Sequence, residues 1–279
     1  MFFLALLGNS LLLLLIKNDS GLQTPMYFFL SQLAFMDLCQ VLSVVPQMTV
    51  DFVTQKYTIS LYGCVIQIFV TLVLGGAECF TLATMSYDRY VAICRPLLYP
   101  VLMRRKICYT LSVGVWLWSS VQALCCSIYV LPLPYCKSNV INHIACEYTA
   151  LMQLSCSDTS AFEKATYLGD FLAFLLPISV ILASYVAILL QVLRPRSSER
   201  SYKALGTCLS HLCVVGLFYG ASMLTYMTPV SSYSAQRAMI NSVFTTLFPA
   251  MMNPFIYSLR NRDVLAALRK RFAKYGLQK

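Results

Sequence analysis

The chain has 279 residues, of which 58% are hydrophobic and 11% charged, with a mean hydropathy of +0.68. Soluble chains carry about 25% charged residues, so this composition excludes a soluble globular domain. The net charge of +10 does not indicate nucleic-acid binding, because it is unevenly placed. With the N-terminus outside, Lys56, Lys137, Lys164 and Arg237 are the only outer cations, and the other 17 of 21 lie at or beyond the inner helix ends. That asymmetry orients a polytopic membrane protein, and its basic face suits anionic lipid headgroups and an acidic partner surface.

The pattern predicts an all-α fold, a single domain over 1–279 built as a seven-transmembrane helix bundle. The first apolar segment, 2–16, has 15 residues. It would span only ~22 Å at ~1.5 Å per residue, against a hydrocarbon core of ~30 Å, so the first helix is expected to be truncated or shallow. A signal peptide is the competing reading, but no cationic region precedes the run and no small-residue cleavage site follows it. Thr24-Pro25 opens the second segment, 25–48, with a capping hydroxyl and a proline at the first helical position. Segments 62–94, 107–131, 165–192, 204–228 and 238–259 follow, each long enough for the ~20 residues a bilayer requires. Pro46, Pro177, Pro249 and Pro254 fall inside these helices, where each frees a carbonyl and permits a kink. In the tail, 260–279, Val264, Leu265, Leu268 and Phe272 recur at helical spacing among Arg262, Arg269, Lys270, Arg271 and Lys274. That is the pattern of a short amphipathic helix lying on the membrane surface.

The long outer connection, 132–164, carries Cys136, Cys146 and Cys156, and Cys64 opens the third helix on the same side. Four cysteines in an oxidising lumen allow three pairings, and spacing does not choose among them.

Met85-Ser-Tyr-Asp88-Arg89-Tyr90-Val-Ala-Ile-Cys94 places an acid–arginine pair at the inner end of a long apolar run. Such a pair is costly in hydrocarbon unless it is internally matched or meets water, and an arginine held by its neighbouring aspartate suits a releasable latch. Asp37 and Glu78 are further intramembrane acids. Glu78 lies eleven residues before Arg89, on nearly the same helix face. In the outer half of helix 3, Thr71, Leu72, Gly75 and Gly76 repeat at helical spacing, where the glycines leave room either for a ligand or for close helix packing. Asp170 in outer helix 5 reads as an unpaired intramembrane acid, suited to attract an amine, accept a ligand hydroxyl or satisfy a neighbouring tyrosine. Tyr219, Ser222, Met223 and Tyr226 line one face of helix 6, either as membrane core packing or, with Thr246 in helix 7, as part of a mostly apolar pocket with a few polar groups.

The helix-3 decapeptide resembles the signature of olfactory receptors, a branch of the rhodopsin-like (class A) G-protein-coupled receptors. So do Gly8-Asn9 in helix 1, Leu22-Gln-Thr-Pro-Met-Tyr27 with Leu33-Ala-Phe-Met-Asp37-Leu-Cys39 around helix 2, and Ser184-Tyr185 in helix 5. Lys203-Ala-Leu-Gly-Thr-Cys208-Leu-Ser-His211 in helix 6 and Pro249-Ala-Met-Met-Asn253-Pro254-Phe-Ile-Tyr257 in helix 7 complete the set in the family's order. Leu205-Gly206 departs from the family's usual Phe-Ser.

The resemblance implies disulfides Cys64–Cys146 and Cys136–Cys156, which would make the outer loop a lid and remove Cys146 from a metal site with His143 and Glu147. It implies that Asp88, Arg89, Tyr90, Tyr185, His211, Asn253, Pro254 and Tyr257 form the activation switch; for His211 a plain packing role is the alternative. It places Asp37, Glu78 and Asn253 together, as a site for an allosteric sodium ion or as a carboxyl pair sharing a proton; no other cofactor is implied. The expected function is binding of a small semi-volatile odorant between helices 3, 5, 6 and 7, and activation of a stimulatory heterotrimeric G protein that raises cyclic AMP, without catalysis. The expected place is the cell membrane, N-terminus outside, in olfactory neuron cilia. The rival readings are a non-signalling truncated form retained in the endoplasmic reticulum and, remotely, an ion-conducting bundle using Asp37 and Glu78.

Overall fold

The structure is a computed structural model that describes residues 1–54, 58–136, 140–141, 145–193, 199–226, 247–257 and 261–274. The principal helices are α1 (Phe2–Asn18), α2 (Pro25–Thr54), α3 (Leu61–Cys94), α4 (Arg105–Val130), α5 (Ser160–Val192), α6 (Glu199–Tyr226), α7 (247–257) and α8 (Arg262–Lys274). Local chemistry sets several boundaries. Pro25 starts α2, where its missing N–H costs nothing. The Ser60 hydroxyl accepts from Gly63 N at 3.1 Å and caps α3. Pro96 disfavours the helical conformation at Arg95, where α3 ends.

Helix α3 is the axis of the bundle and packs against α2, α4, α5 and α6, with α1 against α2. Side chains of α1, α2, α3 and α6 form one continuous core around Phe29, Leu33, Leu82, Met85 and Tyr257. The outward faces are also apolar: Val113, Leu117, Trp118 and Val121 of α4, and Leu168, Phe171, Leu172 and Leu182 of α5, are all exposed. Apolar residues inside and out belong to a bundle solvated by hydrocarbon, where association rests on close packing rather than on water exclusion. The contact of α1 with α7 shows how close: a Cβ on Gly8 would lie 2.8 Å from Pro254 Cγ.

Among the described residues four helices are long and apolar enough to cross a membrane: those of α2, α3, α4 and α5. Helix α6 runs Glu199–Tyr226 and includes the apolar stretch Cys208–Met223. Half of the segment 238–259 lies outside the described residues. Three expectations are amended. First, helix α1 extends to Asn18 but remains short at 17 residues. Second, α5 begins at Ser160 rather than 165. Third, the outer loop contains a short helix, Tyr148–Leu154, that its mixed composition did not reveal.

Candidate functional site

At the basic end of the bundle, Arg89 and Asp88 form an ion pair with Nη2 and Oδ2 3.3 Å apart, the aspartate fully buried and the arginine mostly so. A second donor holds the same carboxylate: Tyr99, on the short helix Tyr99–Leu102, donates to Asp88 Oδ1 at 2.9 Å. Burial and the adjacent carboxylate push the Tyr99 hydroxyl well above the usual phenol range, so it stays a donor. Opposite this pair, Tyr185 Oη and His211 Nδ1 are 2.7 Å apart, with their rings stacked at 5.8 Å. The Arg89 charge reaches both. Tyr90, Tyr185 and Cys94 pack on a small apolar cluster of Ile188, Val192 and Cys208. The inner ends of α3, α5 and α6 therefore meet at one place, and a shift of α6 must break these contacts together.

In the bundle centre, the Asn253 amide donates to both oxygens of Asp37, at 3.3 and 3.0 Å. Glu78 lies close enough to Asp37 for their charges to interact. Glu78 Oε1 and Asn253 Oδ1 are buried and make no hydrogen bond. These are hard oxygens with spare lone pairs, a donor set that fits a small hard cation or a shared proton. Among the described residues no group of three or more His, Cys, Asp or Glu side chains is arranged to hold a metal; the donors here include an amide. The Tyr257 hydroxyl is buried nearby in the core without a hydrogen bond.

One helical stretch above Glu78, the two glycines separate. A Cβ on Gly76 would meet Ser119 Oγ of α4 at 3.0 Å, so Gly76 serves helix packing. Among the described residues, a Cβ on Gly75 would meet nothing within 4 Å. Thr71, Gly75 and Glu78 share a face at offsets of four and three. Thr71 Oγ1 and Glu78 Oε1 on that face are buried without partners. Across from it on α6, Tyr219 is buried against Phe174, with ring centroids 4.9 Å apart, and its hydroxyl has the Cys79 thiol as a weak hydrogen-bonding neighbour. Its electrostatic neighbours are Glu78 and the Cys79 thiol. Unsatisfied buried polar atoms are rare in native folds, and the two on the face of the open glycine offer a place for a polar guest. Ser222 spends its hydroxyl on Phe218 O, 2.8 Å away in its own helix, and Met223 is partly exposed.

The opposite end is held by disulfides Cys64–Cys146 and Cys136–Cys156. Gln67 reinforces the first, accepting from Cys146 N at 2.9 Å and donating to Ser43 O of α2 at 3.3 Å. Asp170 is not an unpaired acid. Gln122 of α4 donates to its Oδ1 at 2.8 Å, and the Tyr148 hydroxyl of the loop helix donates to its Oδ2. Of the three readings of this residue, the geometry selects the neighbouring tyrosine.

The olfactory receptor family profile matches residues 1–275. The chain belongs to the olfactory receptor family. Similar relatives include human olfactory receptor 2T8, 47% identical over 264 residues, covering 95% of this chain and 85% of that protein. Human olfactory receptor 2T5 is 48% identical over 269 residues, covering 96% and 85%. The crystal structure of squid rhodopsin superposes with a TM-score of 0.77 at 21% identity, covering 97% of this chain and 77% of that one. The receptor is thus a non-enzymatic, multi-pass membrane signalling protein with the rhodopsin-like fold.

Several candidate residues of the receptor lie outside the described set: Thr246, His143 and the side chain of Tyr226. Leu72 packs on the cluster formed by the disulfide-end residues Cys64, Ile68 and Cys146. Sequence reasoning missed Tyr99, Gln67, Gln122 and Tyr148. Each carries the partner of a polar group that had been recognised or should have been sought, but each sits on a different element from that group.

Proposed function

We propose that the receptor binds a small semi-volatile organic ligand between α3, α5, α6 and α7, and activates a stimulatory heterotrimeric G protein that raises cyclic AMP. The observation that carries this reading is the opening at Gly75, bounded by the unpartnered Thr71 and Glu78 oxygens, with the Tyr219 hydroxyl as an electrostatic neighbour of Glu78. It lies on the same two helices, α3 and α6, whose inner ends hold Arg89 and His211. A ligand that moves α6 at Tyr219 acts on His211 two turns away along one rigid element. Release of Arg89 then opens a groove for a partner helix. Asn253, Pro254 and Tyr257 form the polar hinge of α7. Asp37, Glu78 and Asn253 would hold a sodium ion, which would supply the charge that two neighbouring carboxylates need in order both to stay ionised. The cation asymmetry supports an N-terminus outside, and family membership supports placement in the cell membrane of olfactory neuron cilia. The test is cyclic AMP output to an odorant panel in cells where surface receptor is quantified. Wild type should respond, and Arg89→Ala should lose the response at unchanged surface level. A ligand-evoked current persisting without G protein would replace this reading with a conducting bundle.

A further inference from the structure

A groove of about 540 Å³ lies at the basic end of α4, lined by Arg105, Lys106, Tyr109, Thr110 and Val113. These residues fall on one helical face at offsets near four. Neither the ligand opening nor the Arg89 switch uses any of them. Arg104, Arg105 and Lys106 are consecutive and exposed, and no acidic residue occurs in the sequence between Asp88 and Glu147. Asp88 itself is buried and committed to Arg89 and Tyr99. Among the described residues, the Arg105 and Lys106 charges form no ion pair.

Away from this charge the same face is apolar and open. Tyr109 is 58% exposed and Val113 56%, and the stripe continues through exposed Leu117, Val121, Leu124 and Ile128. Phe28 of α2 holds the Tyr109 ring edge-to-face at 5.0 Å, which fixes one wall. An uncompensated double positive charge at the foot of a bare apolar stripe asks for an occupant with a negative head and an apolar tail. An acidic protein segment would meet the charge but leave the stripe uncovered. An aromatic ring at that level suits the boundary between headgroups and acyl chains.

We propose that this groove is a binding site for one anionic phospholipid, its phosphate on Arg105 and Lys106 and an acyl chain along Val113 and Leu117. The guanidinium can take two phosphate oxygens in its fork, and the ammonium adds a point charge. The inference rests only on the chain spanning a membrane; it does not depend on the odorant or the G protein.

The experiment uses purified full-length receptor in detergent, phosphatidylserine as the probe and phosphatidylcholine as the reference, read by native mass spectrometry. Wild type should retain one phosphatidylserine adduct at lipid concentrations where phosphatidylcholine shows none. The double variant R105Q/K106Q should bind it about tenfold or more weakly, since each basic group near a membrane surface adds several-fold to anionic-lipid affinity. R269Q/K270Q in α8 should bind as wild type. Equal retention of phosphatidylcholine, or equal loss in both double variants, would overturn the site. Displacement by soluble glycerophosphoserine as effective as by the intact lipid would show a simple anion site and overturn the lipid assignment. A photoactivatable phosphatidylserine on the wild-type chain guards against misfolded variants: labelling within 105–117 supports the site, and labelling only elsewhere refutes it.

Discussion

Asn9 of α1 donates a 2.8 Å hydrogen bond to the carbonyl of Ala250 in α7, the carbonyl that Pro254 four residues later leaves without its helical donor. The same amide nitrogen also bonds Ala5 O at 3.0 Å, and Asn9 is fully buried. A proline in a membrane helix survives only if the freed backbone group finds another partner. Here the partner comes from the neighbouring helix, whose Gly8 lets Pro254 approach. Asn9→Ala should therefore lower the thermal transition of the purified receptor by the equivalent of about 1–3 kcal/mol, the cost of orphaning a buried acceptor. In a Pro254→Ala background the restored N–H returns Ala250 O to its own helix, and the Asn9→Ala penalty should fall to near zero. Equal penalties in both backgrounds would disprove the coupling.

The aspartate of the latch has two holders, and only one was visible from sequence. Removing the Tyr99 hydroxyl takes away one of them, worth about 1.5–3 kcal/mol for a bond to a charged group. Tyr99→Phe should raise ligand-independent cyclic AMP several-fold at constant surface level, and Asp88→Asn should raise it further. Because the folded state raises the Tyr99 pKa, its contribution is complete below the unfolded phenol value near pH 10. It is lost only as pH rises through the higher folded value. Basal output of permeabilised membranes should accordingly show no step attributable to Tyr99 between pH 6 and pH 9. Such a step, absent in Tyr99→Phe, would contradict the assignment.

What could be read along one helix was legible, and what required two elements was not. Asp88–Arg89 adjacency and the positions of Pro25 and Pro254 are properties of consecutive residues, and they appear where expected. Asp170 looked unpaired because Gln122 and Tyr148 lie on α4 and in a loop whose short helix has no clear periodicity. Gly75 and Gly76 look equivalent in sequence, yet a 100° step around the helix sends one towards open space and the other against Ser119. The cystine pairing was legible only through the family resemblance, since three pairings fit the spacing equally.

That difference between the two glycines is directly testable. Gly75→Val fills open space, so it should leave thermal stability within about 0.5 kcal/mol, the range of substitutions that disturb no packing. Dose–response curves of the same variant should show weaker or altered odorant responses. Gly76→Val forces a side chain into contact with Ser119 and should cost about 1–3 kcal/mol, as over-packing does. A Gly75 variant with unchanged responses across an active panel would remove this opening from the ligand site.

Asp170 offers the sharpest separation between a structural and a ligand-contacting role. It accepts from Gln122 and Tyr148, so it joins α4, α5 and the loop helix that bears on Cys146. Asp170→Asn keeps a carbonyl acceptor for one of these donors, whereas Asp170→Leu leaves both the Tyr148 hydroxyl and the Gln122 amide without it. Amide exchange in 148–154 should be near wild type in the Asn variant. In the Leu variant it should be at least tenfold faster, which corresponds to about 1.4 kcal/mol of lost local protection. Odorant potency should follow loop protection, because the residue acts through the lid. If Asp170→Asn abolishes the response to amine odorants while exchange in the loop is unchanged, the carboxylate contacts ligand directly and the lid role fails.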